Sequence, residues 1–330
     1  MRAWQQPATV VVNEPFWTGT ARRADIVFPA TTPLEREDIG GSPREDFLFA
    51  MDQVIDPVGE ARNDYDIFAG LAERLGAGHE FTEGRTADQW VRHLYETYRN
   101  QFPDSPRYDE FVNGGFVQHP ESAASRMVLY DAFRNDPGSY PLPTPSGKVE
   151  LYSETLAGFG YADCPPHPTF FEPHEWLGNA DRYQLHMISN QPSTRLHSQL
   201  DHGVTSTDRK IDGREAVRMH PTDAADRGIR SGDTVRIFND RGACFAGVEV
   251  TDRLRRGVVE LPTGAWWDPV DPADPASPCR HGNPNVLTRD AGTSALAQGP
   301  VAQSCLVQIE RADNAPTPDP YSAPQIVTSG

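Results

Sequence analysis

The run Ser189-Asn190-Gln191-Pro192-Ser193-Thr194-Arg195-Leu196-His197-Ser198-Gln199 gathers hydroxyl, amide, guanidinium and imidazole groups into one short stretch. Such a loop can surround a polyanionic ligand rich in hydrogen-bonding groups, with Arg195 paired to a phosphate oxygen. A solvated loop would have the same composition, and that alternative stays open. A second run, His281 to Ser294, holds Asn283, Asn285, Thr288 and Asp290 with Gly282 and Pro284 interleaved. Glycine and proline make this a rigid polar loop whose backbone can approach a ligand closely, although Asn and Asp also close turns on their own backbone. The third stretch, Thr18 to Asp38, sets Thr18, Arg22, Arg23, Asp25 and Glu35 around a strand end. Nucleotides bind at the carboxyl ends of strands in open α/β sheets, so Thr18 and Asp25 are candidate contacts, unless Asp25 only caps or pairs with Arg22.

Other chemistries are excluded by what is missing. There is no G-x-x-x-x-G-K-[ST], no G-x-G-x-x-G and no G-x-S-x-G, which disfavours phosphate-loop, dinucleotide-fold and serine-hydrolase readings. His197 and His202 are five apart and share no helical face, so zinc hydrolysis is not expected. Cys164, Cys244, Cys279 and Cys305 form no C-x-x-C pair, and they are expected as free thiols rather than metal ligands. A net charge of -17 opposes binding to nucleic acid or an anionic membrane. No apolar run approaches the roughly 20 residues that span a bilayer. Met1 to Pro7 lacks the apolar core of an export signal, which leaves the compartment open with the cytoplasm favoured.

Elements must hold these loops. At 330 residues, 37% of them hydrophobic, two domains are expected, since single domains run to roughly 100–200 residues. Thr9 to Val12 and Ala24 to Pro29 read as strands joined by a short helical turn, buried-looking as parallel strands are. Asp64 to Leu75 and Ala87 to Tyr98 have apolar residues at helical spacing. Residues 100 to 180 are rich in proline, with a strand expected at Lys148 to Tyr152. Short strands then follow at Tyr183 to Ile188, Thr234 to Phe238, Ala243 to Val250 and Gly257 to Leu261. Asn239-Asp240-Arg241-Gly242 reads as a hairpin turn and Pro221 to Arg227 as a short helix. Strands at this spacing suggest a closed barrel. The tail from Ala312, rich in Pro, Ser and Asp, reads as disordered or draped over a partner surface.

Together the segments resemble the bis-molybdopterin guanine dinucleotide enzymes of the dimethyl sulfoxide reductase family, in the branch of biotin sulfoxide and trimethylamine N-oxide reductases. Trp17 to Thr32 with Glu35-Arg36 is similar to the family's strand and loop at one dinucleotide arm. Thr144-Pro145-Ser146-Gly147-Lys148-Val149-Glu150 looks like the segment preceding its C-terminal domain. Arg195-Leu196-His197-Ser198-Gln199 and Gly282-Asn283-Pro284-Asn285-Val286-Leu287-Thr288 resemble pterin-contacting loops.

The resemblance implies the C-terminal part of such an enzyme. An α/β remnant of a dinucleotide-binding domain (1–150) leads through an extended connection (151–180) to a mainly-β double-psi β-barrel (181–311) and a disordered tail (312–330). It implies Mo-bis(molybdopterin guanine dinucleotide) as cofactor, contacted by Thr18, Asp25, Ser189, Asn190, Arg195, His197, Ser198, Gln199, Asn283, Asn285, Thr288 and Asp290. It also implies a small-molecule S-oxide or N-oxide substrate and an electron donor that the sequence does not identify. The family's molybdenum-ligating serine has no counterpart here, so no metal ligand or catalytic residue is assigned and the chain alone is expected to be inactive. Two alternatives stay open: a non-catalytic cofactor-binding or assembly module, and a formate dehydrogenase- or nitrate reductase-like oxidoreductase.

Overall fold

The β-branched runs near the start form two short parallel strands, β1 (Val11–Asn13) and β2 (Ile26–Phe28), joined through a single 3-10 turn at Ala21–Arg23. The computed structural model describes residues 3–42, 45–118 and 128–324. Its contacts divide the chain into two units, Pro7–Pro141 and Met1–Gln6 with Leu142–Gly330. The boundary after Pro141 falls within the proline-rich stretch 100–180 and ahead of the position 150 that the resemblance implied.

Within Pro7–Pro141 the chain does not turn directly helical after β2. The aromatic alternation Phe47-Leu48-Phe49 makes β4 (Phe47–Met51) the centre of an antiparallel sheet with β3 (Asp38–Gly41) and β5 (Phe116–Gln118). That pairing is invisible to a local reading because β5 lies far from β4 in sequence. The helix Asp64–Arg74 ends as expected, where Gly76 takes φ +78°. The helix Ala87–Gln101 runs past the expected end at Tyr98, and Thr86 and Gln89 close a capping box at its start. Tyr95 is buried by stacking on Phe111 of the helix Tyr108–Gly114, with ring centroids 4.2 Å apart.

The second unit is built on a closed barrel. Its strands are β6 (Leu185–Ile188), β7 (Ala216–Met219), β8 (Thr234–Asn239), β9 (Gly242–Val250), β10 (Val258–Glu260) and β11 (Leu306–Arg311), in the order β10-β6-β11-β8-β9-β7. Two pairs, β6–β10 and β7–β9, are parallel and the others antiparallel. Alternate residues point inward, so Leu185, Met187, Val217, Met219, Val235, Ile237, Val307 and Ile309 form one buried core. The expected hairpin joins β8 to β9 through Asp240 and Arg241, and the expected short helix is Pro221–Ala225. All four cysteines are free thiols, three of them buried.

Three expectations are corrected here. Lys148 to Tyr152 forms no strand: Thr144 Oγ1 donates to Lys148 O at 2.7 Å and Leu142 N to Gly147 O at 2.9 Å, turning the chain back before any neighbour can pair. The connection 151–180 is not wholly extended, since Ser153 caps a short helix at Glu154–Phe159. The tail is held rather than disordered as far as Tyr321. Arg214 Nη2 donates to Pro316 O at 2.8 Å, and Asp319 N to the buried carboxylate of Asp268 at 2.7 Å. Composition misses this because the anchors are backbone groups of a polar segment. Residues 325–330 lie outside the described residues.

Candidate functional site

The loop after β6 and the loop from His281 meet a common spine, Leu261 to Trp267, which leaves β10. Leu261 N donates to Ile188 O and Thr263 N to Asn190 O, both at 2.9 Å, so the spine continues beside the first loop. Trp266 Nε1 donates to Ser198 O at 2.8 Å. On the other side Asn283 Nδ2 donates to Ala265 O at 2.7 Å, and His281 Nδ1 lies 3.0 Å from Trp266 O. A carbonyl only accepts, so Nδ1 carries the ring proton. At the crossing point Gly264 has φ +98°, and a Cβ there would lie 1.8 Å from His197 O. Only glycine admits this approach.

The second loop opens onto a cavity of about 610 Å³. Asn283, Asn285, Thr288 and Asp290 line it together, joined by Val286, Arg241, Gly242 and Trp267 and by Pro275 to Ser277 opposite. Asn283 Oδ1 accepts from Asn285 N at 2.9 Å and caps the 3-10 turn Pro284–Val286, which turns the Asn285 side chain outward. Gly242 admits Val286 O so closely that a Cβ would meet it at 2.7 Å, making the floor backbone. Arg241 reaches the cavity from the β8–β9 turn. It makes a fork to Glu175 (2.6 and 2.9 Å) and donates to Leu287 O at 2.5 Å. Burial would raise the Glu175 carboxyl, but the bond to Arg241 holds it below the usual range.

Arg195 is placed differently from the expectation that it pairs with a ligand phosphate. Its side chain is 1% exposed. Nη2 donates to Glu215 Oε2 at 2.8 Å and to Thr263 O at 2.9 Å, and Nε lies 3.4 Å from Asp201. Lys210 Nζ bonds the same two carboxylates at 2.9 and 3.1 Å. Two cations thus neutralise two anions inside the unit, where an unpaired charge would be costly. Burial would raise Asp201, yet Lys210 holds its carboxyl below the ordinary value. Burial, assisted by Lys210, lowers His281 to about 4.

The other predicted residues are spread out. Ser189 exchanges backbone bonds with the Gln303 side chain (3.1 and 2.7 Å), and Asn190 Oδ1 is buried without a hydrogen-bond partner. His197, Ser198 and Gln199 are exposed, with His197 at φ +50°. None of these lines the 610 Å³ cavity. Thr18 and Asp25 belong to Pro7–Pro141. The Thr18 hydroxyl accepts from Ala21 N at 3.2 Å. Asp25 sits at the amino end of β2, where its carboxylate accepts from Val10 N at 2.8 Å; that is a backbone cap, at the opposite strand end from the one that receives nucleotides.

Sequence reasoning missed Arg241 and Trp267, and it missed the spine and the buried network. The signal for the spine was Gly264 followed by paired tryptophans; Arg241 was read only as a turn residue.

The second unit is thus a closed mixed barrel with two polar loops on one glycine-bearing spine and a cavity in the usual size range of small-molecule sites. Comparison with known proteins gives it a family. Residues 185–306 match the model of the molydopterin dinucleotide binding domain, and residues 1–74 that of molybdopterin oxidoreductase. The chain is 49% identical to biotin sulfoxide reductase of Cereibacter sphaeroides, over 93% of this chain and 41% of that protein. It is 42% identical to the dimethyl sulfoxide/trimethylamine N-oxide reductase of Rhodobacter capsulatus, over 100% of this chain and 40% of the relative. Trimethylamine-N-oxide reductase of Haemophilus influenzae is 44% identical, over 94% and 39%. Acetylene hydratase from Pelobacter acetylenicus shares the fold, with a TM-score of 0.68 at 23% identity, over 94% of this chain and 41% of that one. The chain belongs to the dimethyl sulfoxide reductase family of molybdopterin oxidoreductases. It spans about two fifths of the length of the curated relatives it matches.

Proposed function

We propose that this chain forms the C-terminal part of a molybdenum-dependent S-oxide or N-oxide reductase and supplies part of the binding walls for Mo-bis(molybdopterin guanine dinucleotide). The observation that carries the reading is the convergence of Asn283, Asn285, Thr288 and Asp290 on one cavity inside the segment that matches the dinucleotide-binding model. The β6–β10 and β7–β9 parallel pairs, set within an otherwise antiparallel closed barrel, suit a double-psi topology.

The residues fit a guanine nucleotide in kind. Asp290 and Asn285 offer acceptors and donors for the edge of a planar heterocycle, Trp267 offers an aromatic surface, and the backbone floor at Gly242 allows close approach. Arg241 is already neutralised by Glu175, so the cavity suits a neutral ring better than a phosphate. We assign Ser189, Asn190, His197, Ser198 and Gln199 to contacts along the pterin side, with Arg195 buttressing their loop from behind. Thr18, at the carboxyl side of β1, is the remaining candidate in Pro7–Pro141. When bound, the cofactor would supply oxygen-atom transfer, in which two electrons and two protons take an S-oxide or N-oxide to sulfide or amine plus water. The side chains named here bind and orient; none is assigned a proton-transfer step.

GDP is the probe for the guanine arm. Calorimetric titration of the full chain should show saturable GDP binding that weakens about tenfold, or roughly 1.4 kcal/mol, in Asn285→Ala and in Asp290→Ala. Equal affinity in the wild type and both variants would overturn the assignment of this cavity.

A further inference from the structure

The segment after β11 leaves the barrel and returns to it along a chain of anchors. Arg214 holds Pro316 O, Arg280 Nη1 donates to Thr317 O at 3.2 Å, and Asp319 N reaches Asp268. Pro320 is buried. The segment ends against the buried ion network. Tyr321 Oη lies 3.0 Å from Asp201 O, 3.1 Å from Asp201 Oδ2 and 3.3 Å from His281 Nε2. A phenol has one proton, and with the His281 proton on Nδ1 all three neighbours are acceptors. The charged Asp201 is the strongest of them, so the Tyr321 hydroxyl donates there. The ring also stands edge-on to Trp266 and to His281, each with centroids 5.4 Å away.

Two of these contacts bear on the cofactor loops. Asp201 Oδ2 accepts from Trp266 N at 3.1 Å, and His281 opens the loop that carries Asn283 and Asn285. Tyr321 therefore touches the spine and the root of the second loop together. A sheet ladder would hold these segments without help, but neither Thr263 to Trp267 nor His281 to Thr288 lies in a barrel strand. Irregular backbone opens locally unless side chains hold it.

We propose that the segment Pro316–Tyr321 is a latch, and that Tyr321 is a positioning residue which holds the spine and the second loop in their ligand-facing arrangement through Asp201 and His281. The link to cofactor binding rests on the proposed function above; the latch itself does not.

Amide hydrogen exchange on the full chain tests it, comparing wild type with Tyr321→Ala and Tyr321→Phe. In Tyr321→Ala, exchange should rise at least about tenfold in 263–267 and 281–288, with the β8–β9 hairpin unchanged. Tyr321→Phe keeps the ring and loses the hydroxyl bond, so a rise of about fivefold is expected at the same amides. GDP affinity should fall in the same order. Unchanged exchange at both segments in Tyr321→Ala overturns the latch, as does a rise spread equally over the hairpin, which would make Tyr321 an ordinary core residue. If Tyr321→Ala does not fold, the Tyr321→Phe comparison decides on the same amides. Should wild type bind no GDP, the guanine-site reading fails while the exchange data still decide the latch.

Discussion

At the scale of single residues, a polar side chain in a promising loop can serve the ligand or the loop itself, and burial separates the two. Asn285 and Asp290 are exposed and border a cavity; Arg195 in the companion loop is sealed between Asp201 and Glu215. Removing one member of a buried ion network strands its partners, at a cost of about 3–5 kcal/mol. Arg195→Ala should accordingly lose on the order of 3 kcal/mol or more in urea unfolding. A variant of unchanged stability that had lost only ligand binding would restore the direct phosphate contact. Arg195 and Arg241 are both committed to carboxylates, so neither is left as a free cation for a ligand.

At the scale of elements, the Leu261–Trp267 spine organises the site although it forms no regular strand. It is stabilised by loops on both sides and by His281, whose neutrality is set by burial. A pKa of about 4 in the folded chain, against 6.5 for the ordinary imidazole, means the unfolded state binds more protons between these values. Stability then rises with pH across that window and is fully present above about pH 6.5. Acidification from pH 6.5 toward 4 should remove on the order of 3 kcal/mol from this group alone. Asp201, whose pKa is depressed, adds its own loss only below its ordinary carboxylate value. Denaturant midpoints measured at closely spaced pH values check this, and a flat profile from 6.5 to 4.5 would contradict a buried neutral His281. The helices are less instructive: their stops and caps, such as Gly76 and Thr86, follow directly from local sequence.

At the scale of the whole molecule, two compact units share one chain, and the proposed guanine cavity belongs entirely to the second. Ligand linkage should therefore be one-sided. GDP at about 100 times its dissociation constant should stabilise the Leu142–Gly330 unit by about 2.7 kcal/mol. Hydrogen exchange resolved by segment should show that protection in the barrel while Asp64–Arg74 and Ala87–Gln101 stay unchanged. Equal protection of both units would place GDP elsewhere. The exposed aromatic face of the first unit, with Phe49 at 41% and Phe116 at 50% exposure, carries apolar surface that a free-standing unit would ordinarily cover.

The sequence alone determined whatever depends on near neighbours or on a recognisable run. The period-2 strands of the barrel, the Asp240–Arg241 hairpin, the two long helices and the polar loop from Asn283 to Asp290 were legible, because periodicity and turn chemistry act over a few residues. The family likeness was legible for the same reason, through contiguous runs such as Gly282 to Thr288. What only the tertiary structure decided involves partners far apart in the chain. Arg195 is taken by Glu215 and Asp201, Arg241 by Glu175, and β4 pairs with a strand drawn from beyond four helices. The polar tail looked disordered by composition, yet its Tyr321 and Asp319 close on Asp201 and Asp268. Charge pairing and backbone hydrogen bonds over such separations leave no local trace in residue order, since either partner would look the same without the other.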